Sequence, residues 1–369
     1  MNAADTAFVL ICAALVLFMT PGLALFYGGM VRAKNVLGTV MHSMVIVGVA
    51  SLVWAVIGYT LSFGSDVGGI IGGLDFFGLN GVGMEAKEGV PNIPHLAFMV
   101  FQCMFAVITP ALITGAFAER IKFTGFLLFT VLWLIFVYSP MCHWVWGGGW
   151  LAGLGALDFA GGAVVHMSSA ASALACAIYL GKRAGYGKQA FIPHNLPLTV
   201  LGAAILWFGW FGFNAGSALA ANGLAASAFT TTQVAAGAGL LGWIIAEWMK
   251  YGKPTMLGAI SGGIAGLVAI TPAAGFVTPL SAVFIGLVGG ALCYFGVAVL
   301  KAKLGYDDSL DAFGIHGIGG TWGALATGIW TTTTVNSAGK DGLFYTGAFD
   351  VVTNQMIAVV ATYVIAAVA

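Results

Sequence analysis

The stretch AGGAVVHMSSAASALACAIYL, residues 160–180, holds one side chain that titrates near neutral pH, His166, among mostly small and apolar residues, with no Asp, Glu, Lys or Arg. At ~1.5 Å of rise per residue, a helix of this length crosses the ~30 Å hydrocarbon core of a bilayer. A second stretch, FGIHGIGGTWGALATGIW (313–330), repeats the pattern around His316. The rest of the chain agrees: 60% of its 369 residues are hydrophobic and 7% are charged, with a mean hydropathy of +0.99. So few charges cannot cover a soluble protein of this size, whereas lipid requires none. The 55 glycines suit close helix packing in a membrane. Net charge is zero and no basic cluster points to nucleic acid. Cys12, Cys103, Cys142, Cys176 and Cys293 stand singly in apolar runs without CxxC spacing, and read as small buried hydrophobes rather than disulfides or metal ligands. No basic region precedes the first apolar run, so no cleaved signal peptide is expected. The expected fold class is an all-α polytopic membrane protein.

Apolar runs fall at about 7–29, 39–62, 96–117, 123–142, 162–180, 197–217, 232–250, 256–274, 280–300, 313–330 and 351–369, which predicts eleven transmembrane helices. Arg32, Lys34, Arg120, Lys122, Lys182, Arg183, Lys188, Lys250, Lys253, Lys301 and Lys303 all follow odd-numbered runs. Only Lys87 and Lys340 lie on the other side. The positive-inside bias then puts the odd loops in the cytoplasm and the N-terminus outside. The longest outer loop, about 63–95, carries Asp66, Asp75, Glu85 and Glu88 against Lys87 alone. It reads first as a solvated loop and second as an attractor of cations.

His166 and His316 lie in the fifth and tenth runs, 150 positions apart. Five is odd, so two five-helix halves must cross in opposite directions. This predicts one membrane domain over 1–369, an inverted 5+5 repeat with halves of about 1–195 and 196–330 plus a last helix at 351–369. Such repeats place substrate sites near the midplane. Asp158–Phe159 ahead of His166 and Asp311–Ala312–Phe313 ahead of His316 form a weak local echo. Gly258, Gly262 and Gly266, Gly286 and Gly290, and Gly320, Ala324 and Gly328 recur every four residues, as packing stripes do.

Ionisable side chains at membrane depth usually face a protein interior or a pathway. No metal site is expected, because no Cys, Glu or third His joins the two histidines to complete a shell. No GxSxG presents a nucleophile, so an enzyme is not expected. A hydrogen-bonding or proton-handling pair along a pore remains. Aromatics cluster nearby: Phe101 and Phe105 at i, i+4; Trp207, Trp210, Phe211 and Phe213 ahead of Asn214 and Ser217; and Trp144, Trp146 and Trp150 at the outer end of the fourth run. Most fit packing or an interfacial belt. A Trp ring beside a hydroxyl at an outer mouth also holds small cations, with face-on attraction of ~0.5–2 kcal/mol.

The stretches FYGGMVRAKN (26–35), GAFAERIKF (115–123), HWVWGGGWLAGLGALDFAGGAVVH (143–166), GYGKQAFIPHNLP (185–197), WFGFNAGS (210–217) and DAFGIHGIGG (311–320) resemble the ammonium transporter (Amt/Mep/Rh) family in the order that family carries them. The resemblance implies a homotrimer in the plasma membrane with a pore through each protomer and no cofactor. It implies an outer ammonium-recruitment site of Trp146, Phe105 and Ser217, and a gate of Phe105 stacked on Phe213. Below the gate, His166 and His316 would line the lumen as twin histidines, with Asp158 as a supporting carboxylate. Potassium and ammonium share size and charge, but only ammonium can shed a proton and cross as ammonia; selectivity then follows from deprotonation. The family usually continues into a cytoplasmic tail, whereas this sequence ends at Ala369, in or at the end of the last run. Two expectations follow: a transporter or, as the alternative, an ammonium sensor domain belonging with a signalling module such as a histidine kinase.

Overall fold

The computed structural model describes residues 1–369 as a helical bundle. We number its long helical segments α1 (Ala3–Met30), α2 (Ala33–Phe63), α3 (His95–Phe117), α4 (123–146), α5 (Gly162–Leu180), α6 (Leu196–Gly216), α7 (Gly223–Tyr251), α8 (Met256–Ile270), α9 (Pro279–Leu304), α10 (313–330) and α11 (Asp350–Val368). Nine helices are long and apolar enough to cross a membrane. The other two expected crossings are helical but short: α8 stops at 15 residues, where Thr271–Pro272 begins a series of turns, and α10 runs over the expected 313–330 but opens on a π-turn after an irregular 305–311 segment. The sequence placed the start of the seventh helix near residue 232. The structure starts α7 at Gly223, because Asn222 caps it by accepting from the Ala225 N–H. Leu37, Leu52, Tyr179, Met249 and Val360 stand exposed on the outside of the bundle, as lipid-facing side chains do.

α1 packs along α6, and α7 packs against both α8 and α9. The four-residue glycine spacing has its use here: a Cβ on Gly266 would run into the Ala235 backbone, so only glycine permits that approach of α8 to α7. Five π-helical turns interrupt the bundle, at Trp54–Gly58, Leu134–Tyr138, Gly162–Met167, Gly296–Leu300 and Phe313–Gly317. Two of them carry His166 and His316. π-turns are rare and concentrate at functional positions.

The 64–94 loop folds into two small antiparallel hairpins, β1 (Asp66–Val67) with β2 (Ile71–Gly72), and β3 (Ala86–Lys87) with β4 (Val90–Pro94). The opposite ends of the helices are tied by ions. The Glu119 carboxylate takes Arg32 at 2.9 Å and Arg183 at 3.4 Å, while Asp307 takes Arg183 at 2.8 Å and Arg120 at 3.2 Å. This network joins the connections after α1, α3, α5 and α9, the same connections in which the sequence concentrates Lys and Arg.

Candidate functional site

A cavity of about 420 Å³ opens on the hairpin side, lined by Phe63, Phe98, Gln102, Phe105, Trp146, Ser217 and Lys87 among others. Trp146, Ser217 and Phe105, singled out from sequence, thus share one vestibule. Trp146 meets the Phe105 ring edge-on, with centroids 5.6 Å apart, and its indole N–H donates to the Asp158 backbone carbonyl at 2.8 Å. The Ser217 hydroxyl donates to the Phe213 carbonyl at 2.8 Å, which leaves its lone pairs free to accept. Gln102, which the sequence reading passed over, belongs to the same wall, and its buried Oε1 accepts no hydrogen bond from the protein.

Phe105 closes the floor of the vestibule by lying on Phe213, with centroids 4.3 Å apart and planes 32° apart. Both rings are essentially buried. Below them Phe213 faces His166 at 6.1 Å, and His166 faces His316 at 5.2 Å, with interplanar angles of 22° and 26°. These two rings line a narrow lumen of about 20 Å³, room for about one water-sized molecule, walled by Ile108, Leu112, Val165, Trp210 and Ile264 and reaching Asp311.

The hydrogen bonds order the protons on the two imidazoles. Thr271 donates its hydroxyl proton to the Leu267 carbonyl at 2.7 Å and accepts from the Trp210 indole at 2.9 Å. Its remaining lone pair can only accept, so His166 must donate from Nε2, across 3.3 Å. A neutral His166 then carries a bare Nδ1. His316 Nδ1 lies 3.3 Å away and supplies the proton between them, which leaves the lone pair of His316 on Nε2. Nothing in the sequence ranked Thr271; the only signal is its place before Pro272, where α8 breaks.

Each histidine rides on a helix start held by a carboxylate. Asp158 accepts from the backbone N–H groups of Gly161, Gly162, Ala163 and Val164 at 2.6–3.2 Å, and so caps the π-turn that presents His166. Burial nonetheless keeps the Asp158 carboxyl above the usual carboxylate range, against the pull of those four donors. The corresponding cap ahead of His316 is Asp308, which accepts from Ala312 and Phe313 at 3.1 and 2.7 Å. The sequence echo had paired Asp158 with Asp311. Asp311 instead has a left-handed φ of 64° and meets the Lys301 ammonium at 2.5 Å. Both true caps precede their histidine by eight residues. Burial, with Asp311 nearby, pushes the Asp308 carboxyl up to about 6, although Lys301 and the two capping N–H groups pull it down.

The model of the Ammonium Transporter Family matches residues 7–369. The chain is 59% identical over 364 residues to an ammonium transporter of Bacillus subtilis, covering 99% of this chain and 89% of that one. Among solved structures it is similar to Saccharomyces cerevisiae Mep2, with a TM-score of 0.92 and 38% identity, covering 100% of this chain and 86% of that one. It is also similar to a sensor Amt protein, with a TM-score of 0.90 and 30% identity, covering 99% of this chain and 90% of that one. This is a family of transport proteins rather than enzymes, and the fold is that of a multi-pass integral membrane protein. The chain belongs to the ammonium transporter family.

Proposed function

We propose that this protein carries ammonium across the membrane by recruiting it as a cation and conducting it as ammonia. The observation that supports this most is the unbroken series of rings Trp146, Phe105, Phe213, His166 and His316, which runs from an open vestibule to a lumen of about 20 Å³. In the vestibule, NH4+ lies against the Trp146 and Phe105 faces and donates to Ser217 and Gln102, which provide neutral acceptors. Going further as a cation costs at least ~2.5 kcal/mol in an apolar constriction, while a cation–π contact returns ~0.5–2 kcal/mol. In the open vestibule the proton passes to solvent water, NH4+ and H2O giving NH3 and H3O+, and NH3, free of that cost, passes the Phe105–Phe213 gate. In the lumen, the His316 Nε2 lone pair accepts a hydrogen bond from NH3, and the ordered Nδ1 pair fixes that lone pair in place. Asp158 acts at one remove, by setting the His166 helix start and holding Trp146 through its carbonyl.

The same reading takes α8 and α10 as crossings, for eleven in all, with the N-terminus outside and the ionic network of Glu119 and Asp307 in the cytoplasm. Halves of about 1–195 and 196–330 are then inverted copies meeting at the His166–His316 pair, with α11 added, and the assembly is the homotrimer that family membership implies. Ammonium uptake into proteoliposomes, with potassium as the control, tests the mechanism. Saturable ammonium movement is expected without potassium movement. Replacing both His166 and His316 by Ala is expected to change flux or to let potassium pass; a double variant that matches the parent in both would refute the mechanism. Similarity to a sensor Amt protein supports a second reading, a receptor, which predicts saturable ammonium binding with little flux in the same vesicles.

A further inference from the structure

The vestibule contains a cation of its own. Lys87, on the β3–β4 hairpin, is half-buried and lines the same cavity as Trp146, Phe105 and Ser217. Its Nζ lies 5.7 Å from the centroid of Phe98, whose ring meets Phe63 edge-on with centroids 5.0 Å apart. No acidic side chain forms an ion pair with it, and its only hydrogen bond is a long one of 3.5 Å to the Glu88 carbonyl. Burial lowers its affinity for the proton, with Glu88 opposing that shift.

The hairpin is fixed in place. The Asn92 side chain donates to Asp5 at 3.1 Å and to the Leu219 carbonyl at 2.6 Å, which pins the hairpin to α1 and to the turn just after Ser217. The Asn92 carbonyl accepts from the Asn2 N–H at 2.7 Å. Lys87, paired with Val90 across this hairpin, is therefore carried to the vestibule on an anchored element.

A primary ammonium on an aromatic face repeats the chemistry that the vestibule offers to NH4+. We propose that Lys87 is a specificity-determining residue, a tethered alkylammonium that lowers the affinity of the vestibule for free cations. It does so by like-charge repulsion and by occupying the Phe98 face. This rests on the reading of the vestibule as the recruitment site. A single fixed positive charge in a low-dielectric cleft acts more strongly on a nearby cation than it would in open water, and salt screens it.

The test is ammonium binding by calorimetry, alongside uptake into proteoliposomes, for the parent chain, K87Q, K87R and K87E at low and high salt. K87Q is expected to lower the half-saturating concentration about three- to tenfold at low salt, with maximal rate unchanged. K87E is expected to lower it further, K87R to restore the parent value, and high salt to shrink the differences. Unchanged or weakened binding in K87Q, or K87R behaving like K87Q, would overturn the proposal. Should the parent bind ammonium without moving it, the transport reading falls, and the same binding comparison still decides the role of Lys87.

Discussion

The helix starts at Asp158–His166 and Asp308–His316 follow one design in different surroundings. In each, a carboxylate caps a π-turn and a histidine eight residues on faces the lumen. Asp158 is satisfied by four backbone N–H groups and has no cation beside it. Asp308 holds two N–H groups and sits within the fields of Lys301 and Asp311. The histidines differ as well. His166 is anchored to Thr271, whereas the one side-chain partner of His316 is His166 itself. The start at Asp158 is thus held by backbone geometry and the one at Asp308 by a balance of charges. The first should be the more rigid and the second the more adjustable.

The largest effect is expected from Asp158→Ala. It strands four N–H donors in a buried turn, and each orphaned group costs about 1–3 kcal/mol, so the variant should lose most of its folded yield. Asp308→Ala strands two and should lose about half as much. Thermal unfolding of both in detergent checks the order, and equal losses would show that the two caps carry the same load.

The second effect concerns pH. The Asp308 carboxyl is raised from 3.8 to about 6 by burial, so the folded state holds the proton more tightly than the unfolded chain does. Stability from this group is present below the unfolded value of ~3.9 and is lost as pH rises to about 6. Asp308→Asn cannot ionise, so its stability relative to the parent should rise between about pH 4 and 6, by up to about 3 kcal/mol. Unfolding midpoints of both proteins across that range read it directly; parallel curves would mean that Asp308 does not titrate there.

Much of this was legible before any coordinates, for a physical reason. Lipid forces apolar runs and places charges at their ends, so the helices and the residues Trp146, Phe105, Phe213, Ser217, His166 and His316 stood out as exceptions or motif members. What stayed hidden was whatever depends on broken helices. Hydropathy does not show where a π-turn begins, so the echo was aligned on Asp311 rather than Asp308. The start of α7 was missed because 223–231 is rich in Ala and Thr, and only the Asn222 cap marks it. Thr271 and Gln102 are ordinary residues in sequence, and gain meaning only from a partner far along the chain or from a cavity wall. Lys87 was visible as a charge on the wrong side of the positive-inside pattern, which is a signal about position and not about use.

The smallest effect tests the difference between the two histidines. Thr271→Val keeps the volume but removes the one oxygen that Trp210 and His166 share. The Trp210 indole N–H is left buried without an acceptor, a cost of about 1–3 kcal/mol. Freed of its partner, His166 can move its proton to Nδ1, and the order of protons along the pair is lost. Nitrogen NMR of labelled histidine should then show His166 as a mixture of tautomers, where the parent carries its proton on Nε2. Thr271→Ser keeps the oxygen and should behave as the parent. If valine left the tautomer unchanged, the anchoring of His166 would come from its ring stack with Trp210 and Phe213, and the two histidines would be more alike than their hydrogen bonds make them.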